Sequence, residues 1–343
     1  MTKRIILAGF WSHSHCEESF SKQITEYGMD VISFKVSNYF DTKWNNYLNA
    51  IPLPIGAVLK INREFLALVK STNVDYVFLW NCNHFLPSTL QEIRARNIKI
   101  IVYNNDDPYG SVLSNKKPWI HFFQFFWFLK SLFFADIIFV YRPVNIKEAA
   151  QYTNTSSKIK LFKPYFIPSE DKVDLKEKKY KQDVIFIGHY EDDNRLADLE
   201  YLFVNNIDLK VYGTGWENRF TTYKNSIYPV YGEDYINELR GSKICLSFLS
   251  KMNRDVYTRR CFEIPSLGKL LLCERTLEMQ ELFKEDEEAV YFSNKQELLE
   301  KIEWLLSNPS KIDQISEAGY KRAYRDGHDI KSRSIEILNN LSS

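Results

Sequence analysis

What the sequence lacks excludes several classes of protein. Five cysteines occur among its 343 residues, and no two of them form a Cys-x-x-Cys pair. Scattered cysteines in an odd number are typical of small buried side chains in a reducing compartment, and not of a disulfide framework. No apolar run reaches the roughly 20 residues that a membrane-spanning helix needs. Low-complexity tracts and short-period repeats are also missing. The length of the chain predicts two ordinary globular domains of roughly 150 residues each.

The amino terminus does not resemble a secretory signal. Residues 1–11, MTKRIILAGFW, have a basic start, but the apolar run that follows is shorter than the roughly 7–15 residues of a signal-peptide core. No cleavage-site pattern comes after it. The run is better explained as a first buried strand, and we expect the protein to stay in the cytoplasm.

The charge of the chain is balanced overall but uneven along its length. The formal net charge is +1, which does not indicate a nucleic-acid partner, and we expect none. Residues 1–170 contain 19 Lys and Arg against 13 Asp and Glu, whereas the rest of the chain contains 26 against 31. A basic first half indicates that an anionic partner approaches this part of the protein.

One segment is unusually rich in aromatic residues. Residues 119–134, WIHFFQFFWFLKSLFF, are too few to span a bilayer, and His121, Gln124 and Lys130 interrupt the run. One interpretation is an interfacial helix or a lipid-facing acceptor groove, which would make the protein peripheral on the inner face of the membrane. An ordinary buried helix is the other interpretation, and the sequence does not decide between them.

Buried strands and helices alternate along the whole chain. Short apolar runs, rich in Ile, Val, Phe and Tyr, have the composition of strands that are buried on both faces. Near-continuous apolar strands separated by helices predict parallel sheets with helices on both sides. The predicted strands are KRIILAGF, DVISFKV, VDYVFLW, IKIIVYN and DIIFVY in the first half, and DVIFIGHY, IDLKVYG, KICLSFL, KLLLCE and AVYFS in the second.

A charged segment divides the chain into two such halves. Residues 168–182, PSEDKVDLKEKKYKQ, have no apolar periodicity and are predicted to form a surface linker. The predicted fold class is therefore α/β, with two doubly wound domains at residues 1–167 and 183–343, the last helix of which can pack back on the first domain. Ligands of open α/β sheets bind beyond the carboxyl ends of the strands, so we expect the site in a cleft between the domains.

The first turn of the second half is a candidate for phosphate binding. In FIGHYEDDNR, residues 186–195, Gly188 follows a predicted strand and lets the backbone approach a ligand. A helix is predicted to begin around residues 192–194, and the N–H groups at a helix N-terminus hold phosphate well. Arg195 can add a charge-assisted contact to the same group.

A second turn contains two glycines and a large aromatic ring. In VYGTGW, residues 211–216, Gly213 and Gly215 follow a strand and Trp216 comes directly after them. Such a turn can admit a flat ring beside the indole. A tight turn with a Trp that only packs against the core explains the motif equally well.

A third stretch places charges among apolar neighbours. In DVYTRRCFEIPSLGKLLLCE, residues 255–274, Asp255 and Glu263 flank Arg259 and Arg260, and a helix is predicted to begin near Tyr257. A carboxylate can accept hydrogen bonds from both hydroxyls of a ribose, and arginine suits a diphosphate. A solvated run of charges explains this stretch poorly, because its flanking positions are apolar and precede a buried strand.

These motifs together resemble a known family. From about residue 183 to 340, the chain resembles the C-terminal domain of the CgeB-like glycosyltransferases, which are related to the group 1 family of retaining GT-B enzymes. The resemblance implies a GT-B fold, in which two Rossmann-like domains face each other across a cleft and the second holds a nucleotide-sugar. The matching elements, in order, are DVIFIGHY, KVYGTGW, PVYGEDYINELRGSKICLSF, an Asp-x7-Glu pair with R-x-F-E-x-P-x-x-G-x-x-L-L, LEMQELF and EAGYKRAYRDGHDIKSR.

The resemblance also implies roles for single residues. Glu263 matches the glutamate that binds the ribose hydroxyls, and Asp255 matches an acidic residue near the transferred sugar, where the wider family more often has Glu. Arg260 and Arg195 are implied to neutralise the diphosphate. The other residues implied on the donor side are Gly188, where the phosphate-facing loop begins; Gly213, Gly215 and Trp216, around the base; Tyr231, which closes that pocket; Arg259, beside the Arg-x-Phe-Glu motif; and Gly268, before the strand KLLLCE.

The first half resembles the family less closely, but one motif fits. In YNNDDPYG, residues 103–110, Asp106 and Asp107 follow a strand and precede Pro108, as the Asp-Asp-Pro of the family does. The resemblance implies that these carboxylates face the cleft and orient or deprotonate an acceptor hydroxyl. A simple turn is the alternative, because Asp-Pro and Tyr-Gly are turn formers.

The loop after the first predicted strand is the other candidate on the acceptor side. In GFWSHSHCEESF, His13 is a catalytic candidate, and His15 and Glu18 are candidates for contact with the acceptor or the sugar. Two histidines without a third ligand make a poor metal site, so we expect no metal here.

The sequence therefore predicts a glycosyltransferase that moves a sugar from a nucleotide-diphosphate donor to a hydroxyl acceptor. Retention of configuration and independence of metals and other cofactors follow from the resemblance, and the acceptor is expected to be a cell-surface glycan precursor or a lipid-linked one. Two alternatives stay open. A nucleotide-sugar epimerase shares the two-domain fold, and a non-catalytic protein could keep the fold to bind a glycan or another protein.

Overall fold

The structure is a computed structural model with two compact units. It describes residues 2–12, 14–110, 117–168, 180–221, 223 and 227–342, without the side chains of Ser14 and Ser342. The first unit comprises residues 1–163 and 333–343, and the second unit comprises residues 164–332. Each is an α/β unit with its own sheet and its own apolar core.

The sheet of the first unit has six parallel strands in the order β2-β1-β3-β4-β5-β6. All five strands predicted for the first half are confirmed, whereas the short β6 was not predicted because three residues carry no usable periodicity. The strands are β1 (Arg4–Gly9), β2 (Asp30–Lys35), β3 (Tyr76–Trp80), β4 (Lys99–Asn104), β5 (Ile137–Val140) and β6 (Ile159–Leu161).

Six helices of the first unit connect these strands. Every residue of β3 is buried, which agrees with a sheet that has helices on both faces. The helices are α1 (Ser19–Glu26), α2 (Lys43–Ala50), α3 (Gly56–Ser71), α4 (Pro87–Arg94), α5 (Trp119–Ser131) and α6 (Pro143–Ala149), with a π-helical turn at Ser14–Glu18 and 3₁₀ turns at Val36–Tyr39, Leu132–Phe134, Ala150–Tyr152 and Ser156–Lys158.

The aromatic segment of the sequence forms helix α5. His121, Phe125 and Phe128 face the interior of the first unit, while much of the remaining surface of the helix is exposed. Neither interpretation of the sequence is thus complete, because one side of the helix belongs to the core and the other does not. Among the described residues, no helix is both long and apolar enough to cross a membrane.

The sheet of the second unit has five parallel strands in the order β11-β10-β9-β7-β8. All five predicted strands are confirmed. The first of them begins inside the predicted linker, most of which (residues 169–179) lies outside the described residues. The strands are β7 (Gln182–Ile187), β8 (Leu209–Tyr212), β9 (Ser242–Ser247), β10 (Leu270–Glu274) and β11 (Val290–Phe292); the helices are α7 (Arg195–Val204), α8 (Gly232–Arg240), α9 (Arg260–Ser266), α10 (Leu277–Leu282), α11 (Lys295–Ser307) and α12 (Pro309–Arg325).

The last helix returns to the first unit. Helix α13 (Ile330–Ser342) begins in the second unit, but from residue 333 onward it belongs to the first. Ile337 and Leu341 are buried, and the carbonyl oxygen of Leu341 accepts hydrogen bonds of 3.4 Å from both the hydroxyl of Tyr76 and the ammonium of Lys99. Residues at the very end of the chain therefore complete the packing of strands near its beginning.

Removal of residues 333–343 is expected to loosen the first unit selectively. The deletion exposes the apolar surface that Ile337 and Leu341 cover, so amide hydrogen exchange in β3 and β4 should rise by about tenfold or more, while β7 and β9 change little. Hydrogen exchange followed by mass spectrometry measures both. Faster exchange confined to β7 and β9 would contradict this division of the chain.

Candidate functional site

The strand order of the second unit has a switch point between β7 and β9. From β7 the chain continues to β8 on one side, and from β8 it crosses to β9 on the other side. Ligands of open α/β sheets bind beyond the carboxyl ends of strands at such a point. The two loops that follow these strands are joined here, because the hydroxyl of Ser250 donates a hydrogen bond of 2.9 Å to Oε2 of Glu191.

Arg195 holds the loop after β7 together. Its guanidinium group is almost fully buried and donates to both carboxylate oxygens of Asp193, to the carbonyl of His189 and towards Glu191 at 3.3 Å. Burial raises the pKa of Glu191, but the hydrogen bond with His189 and the charge of Arg195 outweigh burial and lower it. The structure thus shows Arg195 in a positioning role, and its contact with a diphosphate stays a prediction.

The glycine-rich turns after β7 and β8 pack directly against each other. Gly213 has a φ of +144°, and a Cβ built on it would lie 1.9 Å from the carbonyl oxygen of Gly188, so only glycine fits there. The indole N–H of Trp216 donates to the same carbonyl at 2.8 Å, and its buried ring packs against Phe186 and Phe220. Packing is the role that the structure shows for Trp216, and its contact with a base stays a prediction.

Two further residues predicted around the base differ in their surroundings. Gly215 has a φ of +78°, and its carbonyl oxygen accepts a hydrogen bond of 2.7 Å from Arg219, whose guanidinium lies 3.6 Å from the centre of the Tyr190 ring. Tyr231 lies directly before α8 and is 71% exposed. The ring of Tyr231 is therefore available at the surface of the second unit.

Helix α9 begins later than the sequence suggested. It starts at Arg260 and not near Tyr257, because the residues after β9 form turns up to that point. Glu263 therefore lies in the first turn of the helix and not two turns inside it. Gly268 adopts a φ of +66° and ends α9, since its N–H donates to the carbonyl of Pro265. The positive φ of Gly268 therefore explains the glycine at this position without any contact to a ligand.

Glu263 is a buried carboxylate with two polar neighbours. Its side chain is 3% exposed; Oε2 accepts a hydrogen bond of 2.6 Å from the hydroxyl of Tyr235, and Oε1 lies 3.1 Å from the guanidinium of Arg259. Burial, and then the charge of Glu263, raise the pKa of Tyr235, so its hydroxyl stays protonated and can donate. Sequence reasoning missed Tyr235, although its position in the first turn of α8 puts it near the same edge of the sheet.

Arg260 differs from its neighbour Arg259. It is partly buried and forms no ion pair with any described residue, whereas Arg259 pairs with Glu263. The buried Nε atoms of both arginines have no hydrogen-bond partner among the described residues. A buried guanidinium nitrogen without an acceptor is costly unless a ligand supplies one. Asp255 is partly buried in the loop after β9, where its N–H donates to the carbonyl of Ser250. Both residues therefore lie on the segment that leads into α9.

In the first unit, Asp107 forms a buried ion pair. Its Oδ2 lies 2.8 Å from the ammonium of Lys117, its Oδ1 accepts 2.9 Å from Asn145, and the side chains of Asp107 and Lys117 are completely inaccessible to solvent. Burial, and then the charge of Lys117, lower the pKa of His121 to about 4, so this neighbouring imidazole is neutral at physiological pH. Both carboxylate oxygens of Asp107 are thus engaged within the first unit, and its action on an acceptor stays a prediction.

Asp106 has a different environment from that of Asp107. It is partly exposed, and no described residue donates a hydrogen bond to its carboxylate. Burial raises the pKa of Asp106; the charges of Arg142 and Lys117 lower it, the charge of Asp107 raises it, and the net shift is upward. A carboxylate with a raised pKa and free oxygens has the properties of a general base. The structure therefore distinguishes two carboxylates that look equivalent in the sequence.

The loop after β1 presents a carboxylate that the sequence analysis did not select. Glu17 is buried, and its Oε1 accepts a hydrogen bond of 2.9 Å from the N–H of Phe10. Glu18, the predicted acceptor-side residue, is exposed, and His15 is partly buried with interactions of its own. His13 lies outside the described residues. The roles of His15 and Glu18 stay predictions.

No group of three or more His, Cys, Asp or Glu side chains in the described part of the chain is arranged to hold a metal ion. Several charged residues at the carboxyl edge of the second sheet form ion pairs, such as Arg259 with Glu263 and Lys251 with Glu274.

One family model matches most of the second unit. Residues 195–339 match the family described as Glycosyl transferase-like. This match begins at Arg195 and includes α8, β9, α9 and β10. Arg260 and Glu263 lie on α9, between these two strands. No curated protein sequence matches the chain significantly.

Solved structures match the chain over almost its whole length. A glycosyltransferase from Rickettsia africae ESF-5 has a TM-score of 0.68 and 13% identity over 98% of this chain and 97% of its own. Anabaena HepE, solved in complex with UDP and glucose, has a TM-score of 0.66 and 9% identity over 99% of both chains. UDP-GlcNAc 2-epimerase from Neisseria meningitidis, bound to UDP-GlcNAc, has a TM-score of 0.55 and 11% identity over 99% of both. The chain has the GT-B fold. The predicted fold class is thus confirmed, and identities this low establish the fold alone.

Replacement of Asp107 is expected to lower stability much more than replacement of Asp106. Asp107→Ala leaves Lys117 buried without its counter-ion, which should lower the free energy of unfolding by about 3–5 kcal/mol. Asp106→Ala removes a carboxylate whose ionised form is already disfavoured, so it should change stability by less than about 1 kcal/mol. Urea denaturation of both variants measures the difference. Equal losses would contradict the assignment of Asp107 to structure and Asp106 to function.

Proposed function

We propose that the protein is a glycosyltransferase that moves a sugar from a nucleotide-diphosphate donor to a hydroxyl group of an acceptor. Support comes from the Glycosyl transferase-like match at residues 195–339, from the GT-B fold, and from structurally similar proteins that were solved with UDP and glucose or with UDP-GlcNAc. The observation that carries the proposal is the environment of Glu263 and Arg260 at the edge of the second sheet.

Glu263 has the capacity to bind the ribose of the donor. A carboxylate offers about four lone-pair positions, and Tyr235 and Arg259 use two of them. The remaining two suit the vicinal hydroxyl groups of a ribose. Because Tyr235 and Arg259 hold the carboxylate in one orientation, these positions are fixed before a ligand arrives, which reduces the entropy that binding must overcome.

Arg260 is the cation best placed to contact the diphosphate. Its guanidinium group has no carboxylate partner among the described residues, in contrast to Arg195 and Arg259. In the proposed reaction the bond between C1 of the sugar and the diphosphate oxygen breaks, and negative charge accumulates on the leaving diphosphate. A fixed cation at that point stabilises the transition state, and this contribution needs no metal ion.

Asp106 is proposed to act on the acceptor. Its carboxylate accepts the proton of the acceptor hydroxyl while the acceptor oxygen forms the new bond to C1 of the sugar. The net upward shift of its pKa makes it a stronger base than an ordinary aspartate. The proposed acceptor is a cell-surface glycan precursor or a lipid-linked one. Retention of configuration at C1 is proposed from the Asp-x7-Glu spacing of Asp255 and Glu263. Retention requires the acceptor oxygen to attack C1 from the face that the diphosphate leaves, because attack from the opposite face would invert C1.

Epimerisation of a nucleotide-sugar is the second candidate. The similarity to UDP-GlcNAc 2-epimerase favours it, since that enzyme shares the fold over the full chain length. Its TM-score of 0.55 is lower than the 0.68 of the Rickettsia glycosyltransferase. An epimerase would convert the donor without any acceptor, so isomerised nucleotide-sugar in an acceptor-free reaction would decide in its favour.

A panel of nucleotides is expected to identify the donor and to test Glu263. One of UDP, GDP, TDP, ADP and CMP should raise the melting temperature of the wild type, because a ligand at about 100 times its Kd adds roughly 2.7 kcal/mol of stability. Glu263→Gln should lose most of this increase, since the amide lacks the charge and two of the acceptor positions. Differential scanning fluorimetry measures both.

The exposed Glu281 supplies a matched control for this panel. Glu281→Gln removes one negative charge from the exposed surface of α10, so it should keep the full response to the nucleotide. If Glu263→Gln melts at a lower temperature but shows an undiminished nucleotide response, Glu263 is a structural residue only. The donor site proposed here would then be refuted.

The pH dependence of transfer is expected to reveal Asp106. A general base must be deprotonated, so kcat should fall as the pH drops through the pKa of Asp106, which lies above the usual value of about 3.9. Asp106→Asn should lower kcat by about 10²–10⁴-fold and remove this acidic limb, with little change in nucleotide affinity. Asp41→Asn, at an exposed position of the first unit, is the control. An unchanged pH profile in Asp106→Asn would exclude it as the base.

A further inference from the structure

Half of the large apolar side chains that are exposed in the described part of the chain occur in two segments of the first unit. Twenty such side chains are exposed among the described residues, and ten of them lie between residues 44 and 59 or between residues 119 and 133. These ten are between 45% and 69% exposed, and we call them the aromatic patch. They are Trp44, Tyr47, Leu53, Ile55, Leu59, Trp119, Ile120, Phe122, Phe123 and Phe133.

The two segments are connected through α5. Phe122 contacts the ring of Phe123 and also that of Phe126, which in turn contacts Trp127 at a centroid distance of 4.9 Å. The indole N–H of Trp127 donates a hydrogen bond of 2.6 Å to the carbonyl oxygen of Pro52. Helix α2 also packs beside α5. The exposed side chains on either side of this bond are therefore neighbours on one surface.

The charge within the two segments has only one sign, although Asp41 and Glu64 flank the first of them. Residues 42–63 and 117–135 contain no Asp or Glu, although 26% of the chain is charged. Lys43, in the first turn of α2, and Lys130, in the last turn of α5, are exposed and form no ion pair with any described residue. The surface thus combines exposed aromatic rings with unpaired cations.

We propose that the aromatic patch binds the surface of an anionic lipid bilayer. Trp, Tyr and Phe side chains favour the boundary between headgroups and acyl chains, and lysine side chains reach from there to the lipid phosphates. The proposal commits to lipid because a complementary protein surface would not require the absence of acidic residues on both segments, whereas an anionic membrane repels every such residue.

The helix geometry determines how the patch would contact the bilayer. Helix α5 has 13 residues, which is too short to cross a hydrocarbon core that needs about 20. His121, Phe125 and Phe128 are buried inside the first unit, so only the opposite side of α5 is free. The helix therefore lies along the membrane surface, with Trp119, Phe122 and Phe123 inserted at the level of the headgroups.

Vesicle flotation of the full chain tests this proposal without reference to any enzymatic activity. The wild type should float with vesicles of phosphatidylcholine containing about 30% phosphatidylglycerol, and poorly with phosphatidylcholine alone. The variant Trp119→Ser/Phe122→Ser/Phe123→Ser should bind the anionic vesicles about tenfold more weakly or worse. Lys43→Glu/Lys130→Glu should weaken binding similarly, and the wild type should lose affinity at about 0.5 M salt.

Matched controls make the outcome decisive. Tyr27→Ser/Leu277→Ser removes exposed apolar side chains outside the patch and should bind as the wild type does. Circular dichroism and melting temperature confirm that each variant is folded. Absence of flotation by the wild type, or equal flotation by the triple serine variant, would overturn the proposal. A third result would also overturn it: the wild type fails to float and forms dimers in sedimentation velocity, whereas the triple serine variant is monomeric. The patch would then bind a second copy of the chain.

Discussion

A buried carboxylate in a first helical turn determines the organisation of the second unit's site. Glu263 is almost inaccessible to solvent, and an isolated charge in such a place is unfavourable by several kcal/mol or more. Tyr235 and Arg259 provide the hydrogen bond and the counter-charge that make it tolerable. The two partners lie on different helices: Tyr235 is on α8, and Arg259 lies at the start of α9. The need to satisfy one carboxylate therefore fixes the relative position of two helices at the carboxyl edge of the sheet, next to Arg260.

The same electrostatic rule separates two adjacent residues in the first unit. Asp107 is fully buried and has both oxygens engaged by Lys117 and Asn145, whereas Asp106 is partly exposed, and no described side chain or N–H donates to it. The buried pair fixes the loop after β4, and the loop in turn holds Asp106 in place with a raised pKa. The carboxylate of Asp107 is thus fully engaged by its neighbours, whereas the oxygens of Asp106 receive no hydrogen bond from a described residue. A similar division exists in the second unit, where Arg195 and Arg259 are paired and Arg260 is not.

The sequence predicted the strands far better than the details of the site. Ten of the eleven strands follow from near-continuous apolar runs, because strands buried on both faces leave little room for other residues. The sequence analysis assigned neither α2 nor α3, the two helices between β2 and β3, and α3 has no side-chain cap. The partners of Glu263 and Asp107 could not be predicted, because Tyr235 and Lys117 are 28 and 10 positions away and only the folded chain brings them together. Motif spacing identified which segments carry charge, but it did not reveal which charges neutralise each other. Resemblance to a family supplied roles for Glu263 and Arg260 that spacing alone did not contain.

The central claim is that Glu263 binds the ribose hydroxyls of a nucleotide donor. Isothermal titration of the preferred nucleoside diphosphate and of its 2′-deoxy form, with the wild type and with Glu263→Gln, tests this claim as a cycle. Loss of the 2′-hydroxyl should weaken binding to the wild type by about tenfold, since a hydrogen bond to a charged group contributes roughly 1.5–3 kcal/mol. The same loss should have almost no effect on Glu263→Gln. Equal losses in both proteins would contradict the account, because they would show that the ribose does not contact Glu263.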